Sequence, residues 1–171
     1  MNFQNRLEQL KNEAMSELMG IGVPILPSNI HFAINKRYTQ KLASCQELPE
    51  SSYLIQVSLA VLKGDDHFAK NIIIHELLHT LPGCLNHGPE WKRWAEKVNR
   101  ELGYYVQRTV PIDRIVAAIE GGPRAMGFKY KIECQGCGGT HYRSRATTLV
   151  THPERYYCSG CGGRYKVSKL D

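Results

Sequence analysis

Residues 75–79 read HELLH, and His87 follows eight residues after the second histidine. On a helix, positions four apart lie about 40° apart around the axis, so His75 and His79 can direct two imidazoles at one ion. A catalytic zinc ion takes three protein ligands and keeps one position open for water. The pattern predicts a zinc site held by His75, His79 and His87, in which Glu76 activates a zinc-bound water. The alternative role of Glu76 is to hold a histidine tautomer.

The third ligand depends on how the chain turns back after the HELLH helix. Pro82 ends that helix and Pro89 suits the first position of the next one, so His87 can be brought to the metal. Two other residues remain possible ligands. Glu90 would lie in the first turn of the next helix, where the helix dipole favours a carboxylate in any case. Cys84 follows the second histidine by only five residues. We expect His87 to be the ligand.

Hydrophobic periodicity predicts a mixed fold. Apolar residues recur at spacings of three and four in segments that indicate helices over about residues 3–20, 67–81 and 89–102. Strand character occurs in residues 30–34, 41–46 and 53–58, and the short connections favour an antiparallel sheet. A further short helix is expected over residues 112–119. The predicted fold class is therefore α+β, with a small antiparallel sheet and an active-site helix.

Composition narrows the class of protein. Of the 171 residues, 22% are charged and 42% hydrophobic, which is typical of a soluble globular protein. No apolar run approaches the roughly 20 residues of a membrane span, and the N-terminal segment lacks the apolar core of a secretory signal. We therefore expect a cytoplasmic protein without a membrane partner, whose cysteines are thiols or metal ligands and not disulfides.

Four cysteines form two matched pairs near the C-terminus. Cys134 and Cys137 make one Cys-x-x-Cys pair, and Cys158 and Cys161 make the other after twenty intervening residues. This spacing predicts a zinc ribbon with four thiolate ligands and a structural zinc ion. A redox dithiol would not need two matched pairs. The sequence thus predicts two zinc ions in two domains, with the catalytic one in residues 1–121 and the ribbon in residues 122–171.

The net charge of +6 is confined to the predicted ribbon. Residues 1–121 contain equal numbers of basic and acidic side chains, whereas residues 122–171 contain nine Lys and Arg against three Asp and Glu. A local basic excess suits contact with the phosphates of a nucleic acid. Arg143, Arg145 and Arg155 lie among aromatic residues between the cysteine pairs, a pattern that suits backbone contact and base stacking. The alternative is an ordinary ribbon hairpin with a solvated basic face.

The order HELLHT, HGPEW and a C-terminal CxxC…CxxC ribbon resembles the SprT-like zinc metallopeptidases, a family that includes proteases acting on proteins crosslinked to DNA. The resemblance implies a zincin-like metallopeptidase domain of the minimal gluzincin or metzincin type, followed by a zinc ribbon. It implies that His75, His79 and His87 bind the catalytic zinc and that Glu76 is the catalytic glutamate. It also implies that the substrates are proteins associated with DNA. The protein itself would contact that DNA as single strands or through the phosphate backbone.

Two other functions remain open from the sequence alone. The protein could be a non-catalytic nucleic-acid-binding zinc protein linked to transcription, in which the histidine zinc is structural. It could also be a metal hydrolase acting on a small molecule, which predicts a deep closed pocket. A structural zinc site has no need of a carboxylate such as Glu76 beside its ligands. Mutation of Glu76 therefore distinguishes the enzyme from the non-catalytic zinc protein.

Overall fold

The computed structural model of the chain describes residues 2–38, 41–110, 115, 117–119, 121–125 and 127–170. The chain divides into two compact units, the first ending at Val110 and the second taking up the remainder. The domain boundary that the sequence places near residue 121 remains a prediction. The helix expected over residues 112–119 falls largely outside the described residues.

The first unit combines helices with a small sheet, as the sequence predicts. Its helices in the described residues are α1 (Phe3–Gly20), α2 (Leu59–Lys63), α3 (Asp66–Leu78) and α4 (Pro89–Leu102). Its strands there are β1 (Ile30–Asn35), β2 (Ala43–Leu48) and β3 (Ser52–Ser58). Short 3₁₀ turns, Pro27–Asn29 and Pro49–Ser51, lead into β1 and β3. None of the helices in the described ranges has the length and apolar character needed to cross a membrane.

Helix α1 is amphipathic and well capped. The side chain of Asn2 accepts the backbone N–H groups of Gln4 and Asn5, which satisfies two donors that a helix start leaves open. Its inward side chains are at most 1% exposed: Leu7, Leu10, Ala14 and Leu18. Each fully buried leucine contributes roughly 1.5–3 kcal/mol to the free energy of unfolding. The spacing seen in the sequence thus becomes the face that packs on α3.

The sheet is mixed, which corrects the prediction of an antiparallel one. Its strand order is β1-β3-β2, with β1 parallel to β3 and β2 antiparallel to β3. The three residues of the Pro49–Ser51 turn join β2 to β3 as neighbours, whereas the longer connection from Asn35 to Ala43 carries the chain past one strand position. Strand β3 takes the centre because its apolar residues are the most buried, with Ile55 and Val57 at 0% exposure.

Helix α3 is the buried helix that carries HELLH. The Asp65 carboxylate accepts the N–H of Phe68 at 2.8 Å and so caps its start. Side chains on several sides of it are at most 3% exposed, namely Ile72, Ile73, Ile74, Leu77 and Leu78. The helix ends at Leu78, three residues before the predicted end, because the next bonds are of the tighter i→i−3 kind, such as Thr80 N to Leu77 O at 3.0 Å. His79 is its C-cap and keeps helical backbone angles.

Helix α4 starts and ends as the sequence predicts. Pro89 occupies the first helical position, and Gly103 ends the helix in the left-handed conformation at φ 72°. Trp91, Ala95 and Val98 form its buried face. Trp94 on the same helix is partly exposed, with the Arg93 guanidinium 5.1 Å from its ring centroid.

The second unit contains a three-stranded antiparallel sheet. Strand β4 (Tyr130–Cys134) lies between β5 (Thr140–Arg143) and β6 (Tyr165–Lys169). Ile132 at the centre of β4 is fully buried, between His141 and Val167 on the neighbouring strands. The connection from β5 to β6 holds a short helix, Thr148–Thr151, and a 3₁₀ turn, Pro153–Arg155. This small sheet positions the cysteines at its end.

Candidate metal centres

Three histidines of the first unit converge on one point. Their ligand nitrogens all lie within 4.8 Å of one another, and Nε2 of His75 is 3.0 Å from Nε2 of His87. His75 and His79 come from one face of α3, as the four-residue spacing predicts, and His87 comes from the loop before α4. Because zinc–nitrogen bonds are about 2.0–2.1 Å, nitrogens this close can share one ion.

The tautomers of the two helical histidines are set by backbone carbonyls. Nδ1 of His75 lies 2.9 Å from the carbonyl oxygen of Gln107, and Nδ1 of His79 lies 2.6 Å from that of Cys84. A carbonyl only accepts, so both Nδ1 atoms carry the proton and both Nε2 atoms present a lone pair. This donor set fits a divalent metal ion, since outer-shell carbonyls of this kind orient ligating imidazoles.

Burial keeps the three imidazoles neutral, the form that binds a metal. Desolvation, together with the charges of His79 and His87, lowers the pKa of His75 to about 3. Desolvation also lowers the pKa of His79, against a backbone hydrogen bond with Cys84. The pKa of His87 is lowered by desolvation and by the charges of His79 and Arg108. At neutral pH the three imidazoles therefore keep lone pairs that a metal ion can bind.

Trp91 forms an apolar wall of the histidine cluster. Its ring centroid lies 4.9 Å from that of His75, 5.6 Å from that of His79 and 4.5 Å from that of His87. The indole is 2% exposed, so it excludes water from one side of all three imidazoles. No pattern of residue types in the sequence marks Trp91 as part of this site.

Glu76 is a buried carboxyl next to the histidines in α3. It is 8% exposed, and desolvation raises its pKa to about 7, against the opposing effects of the Lys41 charge and a hydrogen bond with the Cys45 backbone. A carboxyl group titrating near neutral pH is suited to accept and return a proton. Cys45 lies on β2, at the edge of the sheet in the described residues, and so β2 borders the site.

The two alternative third ligands lie outside the histidine cluster. Among the described residues, the group of possible ligands contains His87 and includes neither Glu90 nor Cys84. The Glu90 carboxylate is exposed and pairs with Arg93 at 2.7 Å. The Cys84 side chain is buried, and its backbone carbonyl is the group that contacts His79. The geometry thus favours His87, whose role as a ligand stays a prediction.

The four predicted ribbon cysteines form the second cluster. Their sulfurs lie within 4.8 Å of one another, with Cys134 Sγ 3.4 Å from Cys161 Sγ and Cys137 Sγ 3.8 Å from Cys158 Sγ. All four are free thiols. Because zinc–sulfur bonds are about 2.3 Å, four sulfurs this close together can hold one zinc ion.

Glycines bring the two cysteine pairs together. A side chain at Gly163 would place its Cβ 2.9 Å from Cys134 Sγ, and one at Gly136 would place its Cβ 3.0 Å from Cys161 Sγ. The N–H groups of these two glycines also approach sulfurs at 3.4 Å. Hydrogen bonds from the backbone of Gly160 and Cys161 lower the pKa of Cys158 to about 6. The backbone therefore favours the thiolate form that a metal requires.

The arginines proposed to contact nucleic acid are all exposed. Arg143 lies on β5 opposite Tyr130, and Arg145 and Arg155 lie in the connection to β6. Tyr157 in the same connection is 59% exposed, and the Arg164 guanidinium lies 4.0 Å from its ring centroid. Sequence reasoning did not single out Arg164, which follows the last cysteine pair.

The first unit is α+β and brings two histidines of a buried helix together with a third from the following loop. The second unit brings four cysteines together, so the fold and its sites define a protein able to bind metal ions at two sites. The model of the SprT-like family matches residues 4–114, which is most of the chain. The chain belongs to the SprT-like family. A comparison with curated proteins gave no match.

The supports of the histidine cluster were not predictable from motifs. The carbonyls of Gln107 and Cys84 and the amide of Cys45 are backbone groups, which every residue carries. Lys41, whose charge acts on Glu76, lies 35 positions before it in the sequence. No pattern of residue types marks such contacts, because they arise when distant segments are packed together.

Proposed function

We propose that this SprT-like protein is a cytoplasmic zinc-dependent endopeptidase with a zincin-like catalytic domain. Its substrates are proteins associated with DNA or crosslinked to it, which makes it a DNA-repair protease. The observation that carries the proposal is the convergence of three neutral imidazoles beside a buried carboxyl whose pKa is about 7. This combination suits metal-assisted hydrolysis, whereas a purely structural metal site has no use for the carboxyl.

His75, His79 and His87 would hold the zinc ion. When bound, zinc lowers the pKa of water toward 7 and polarises the scissile carbonyl. Glu76 accepts the proton of the attacking water and passes it to the leaving amine, which balances the hydrolysis of a peptide bond. The carbonyls of Gln107 and Cys84 keep Nδ1 of the two helical histidines protonated throughout.

The second unit would hold a structural zinc ion and bind DNA. Its basic excess, and the exposure of Arg143, Arg145 and Arg155, support contact with the phosphate backbone. The exposed rings of Tyr156 and Tyr157 support stacking with unpaired bases. Such contacts would bring the protease unit to proteins that are already on DNA.

The test is cleavage of a DNA-binding protein by the full chain, with and without single-stranded DNA. Glu76→Gln should lower the rate by about 10²–10⁴-fold while both zinc ions stay bound, because the base is lost and the shape is kept. Glu90→Gln is the matched control. Its carboxylate is exposed and paired with Arg93, so the rate should stay within about twofold of wild type.

The non-catalytic alternative has a different signature. If the wild-type protein binds DNA and two zinc ions but cleaves no protein in either condition, the nucleic-acid-binding function linked to transcription replaces the protease. The exposed arginines and tyrosines of the second unit are the observation that favours this alternative.

A further inference from the structure

Residues 104–107, here named the return segment, follow α4 and carry the carbonyl that orients His75. The segment has no helix or strand of its own. Its last residue, Gln107, places its carbonyl oxygen 2.9 Å from Nδ1 of His75, which is 32 positions earlier in the chain. The orientation of the His75 imidazole therefore depends on the return segment. Because this segment lacks the hydrogen bonds of a helix or strand, contacts with side chains fix its conformation.

Two asparagines hold the return segment from both neighbouring helices. Asn99 of α4 accepts the N–H of Val106 through Oδ1 at 2.6 Å and donates Nδ2–H to the carbonyl of Val106 at 3.0 Å. Asn71 of α3 accepts the N–H of Tyr105 through Oδ1 at 2.9 Å. Asn71 is 7% exposed, so its bond is protected from water. The side-chain amide of Asn99 thus pairs with both the N–H and the C=O of one residue, as a neighbouring strand would.

The two hydrogen bonds between Asn99 and Val106 lie one residue before the Gln107 carbonyl that contacts His75. Val106 is 2% exposed and fixed at both its N–H and its C=O, and the next carbonyl along the chain is that of Gln107. Rotation of the backbone at Val106 would swing the Gln107 carbonyl away from His75. With that carbonyl displaced, neither the tautomer nor the ring orientation of His75 would be fixed.

We propose that Asn99, assisted by Asn71, is a positioning residue for the metal site, acting through the return segment on His75. This inference rests on the proposed zinc site and adds residues that do not touch the metal. Removal of a group that hydrogen-bonds a ligating histidine changes metal affinity by about 10–100-fold, and displacement of the Gln107 carbonyl would remove such a group.

Asn99→Asp is the most informative variant. Aspartate has nearly the same shape as asparagine, and the weaker zinc binding that we expect is the opposite of what its negative charge alone would cause. An aspartate keeps an acceptor for the N–H of Val106 but places a second oxygen against the Val106 carbonyl, where Nδ2–H had donated. An added negative charge near a cation should by itself tighten binding. A weaker site in this variant therefore reports the loss of the bond pair and not the charge.

The measurement is chelator competition on the full chain loaded with Zn²⁺, with thermal unfolding recorded in parallel. Asn99→Asp should raise the dissociation constant of the first-unit zinc by about 10-fold or more, and leave that of the four-cysteine site unchanged as an internal reference. Asn71→Ala should raise the same dissociation constant by a smaller factor. This variant replaces Asn99→Asp as the test if Asn99→Asp does not fold.

The control for lost stability is Asp65→Ala, which removes the N-cap of the helix that carries His75 and His79. It should lower the midpoint of thermal unfolding and keep the zinc dissociation constant within about twofold. Equal loss of zinc in Asp65→Ala and Asn99→Asp would overturn the inference, and so would zinc retention in both folded asparagine variants. If wild-type protein holds zinc only at the cysteines, the proposed function fails together with this inference.

Discussion

The histidine cluster of the first unit and the cysteine cluster of the second differ in what surrounds them. His79 is 7% exposed, Trp91 covers the imidazoles, and the ring orientations are fixed by carbonyls. In the second unit, Cys137 and Cys161 are exposed, and the sulfurs are approached mainly by the backbone of their own turns. The first cluster is thus built by a hydrophobic core, whereas the second depends on local turns that a metal ion must hold together.

Under the proposed function, this difference would give the two zinc ions different roles. A closed shell of four thiolates leaves no position for water, which is typical of structural zinc. Three histidines leave one position, which catalysis requires. The difference in surroundings also predicts that removal of metal unfolds the second unit and leaves the first unit folded, because only the first has a core large enough to fold without the ion.

The largest expected effect is on the second unit. Its absence would contradict the conclusion that this unit, unlike the first, depends on a metal ion to fold. Cys158→Ser should remove the zinc of that unit and unfold it completely, because a sheet with so small a core gains much of its folding free energy from the ion. Two-dimensional NMR should show the amide signals of residues 130–169 collapse, while those of the first unit stay dispersed. Cys45→Ser, the same chemical change outside both clusters, should leave all signals dispersed.

The next effect concerns the first cluster alone. His87→Ala should weaken zinc binding there by more than the roughly 10–100-fold expected for loss of an outer-shell hydrogen bond, and the unit should stay folded. Zinc content after mild chelation and circular dichroism measure the two properties. Glu90→Ala is the control, since its carboxylate pairs with Arg93. Loss of zinc in Glu90→Ala and not in His87→Ala would mean that the ligand assignment is wrong.

Acid stability of the metal-free first unit sharpens the comparison further. The pKa of His75 is about 3 when folded, below its ordinary 6.5, so the unfolded chain binds an extra proton as the pH falls below 6.5. This term alone destabilises the fold by about 2 kcal/mol at pH 5. The raised pKa of Glu76, about 7, acts in the opposite direction between pH 7 and 4.5, because the folded state then binds the extra proton.

The two terms nearly cancel in the wild type, so Glu76→Gln should reveal the histidine term. Its free energy of unfolding in chelator should fall by about 2 kcal/mol more than that of wild type between pH 6.5 and 5. Urea unfolding at a series of pH values provides the measurement. Parallel pH profiles for the two proteins would contradict the raised pKa of Glu76, and with it the burial of that carboxyl.

The smallest effect tests whether the second unit contacts phosphates. Arg143→Ala combined with Arg145→Ala should flatten the dependence of log K on log salt by about one to two units, if each arginine neutralises one phosphate. Mobility shifts with single-stranded DNA over a salt series measure this slope. Arg100→Ala in the first unit, whose side chain is 69% exposed, should leave the slope unchanged and so assign DNA binding to the second unit.

Much of the fold follows from local patterns. The helix boundaries near Gly20 and Gly103 and the positions of β1 and β3 agree with the sequence, because capping, periodicity and helix-ending residues act over a few positions. The prediction of an antiparallel sheet was wrong, because β1 pairs in parallel with β3. Strand order depends on which strand the core buries most deeply, and no turn signal encodes that.

The sequence by itself determined the candidate metal ligands: which residues offer nitrogen or sulfur, and that His75 and His79 share a helix face. Only the tertiary structure decided which Nδ1 atoms are protonated, why the pKa of Glu76 is about 7, and which backbone orients His75. Ligand types and their spacing are local properties of a chain. Desolvation and carbonyl contacts across 32 positions exist only after the core has brought distant segments together.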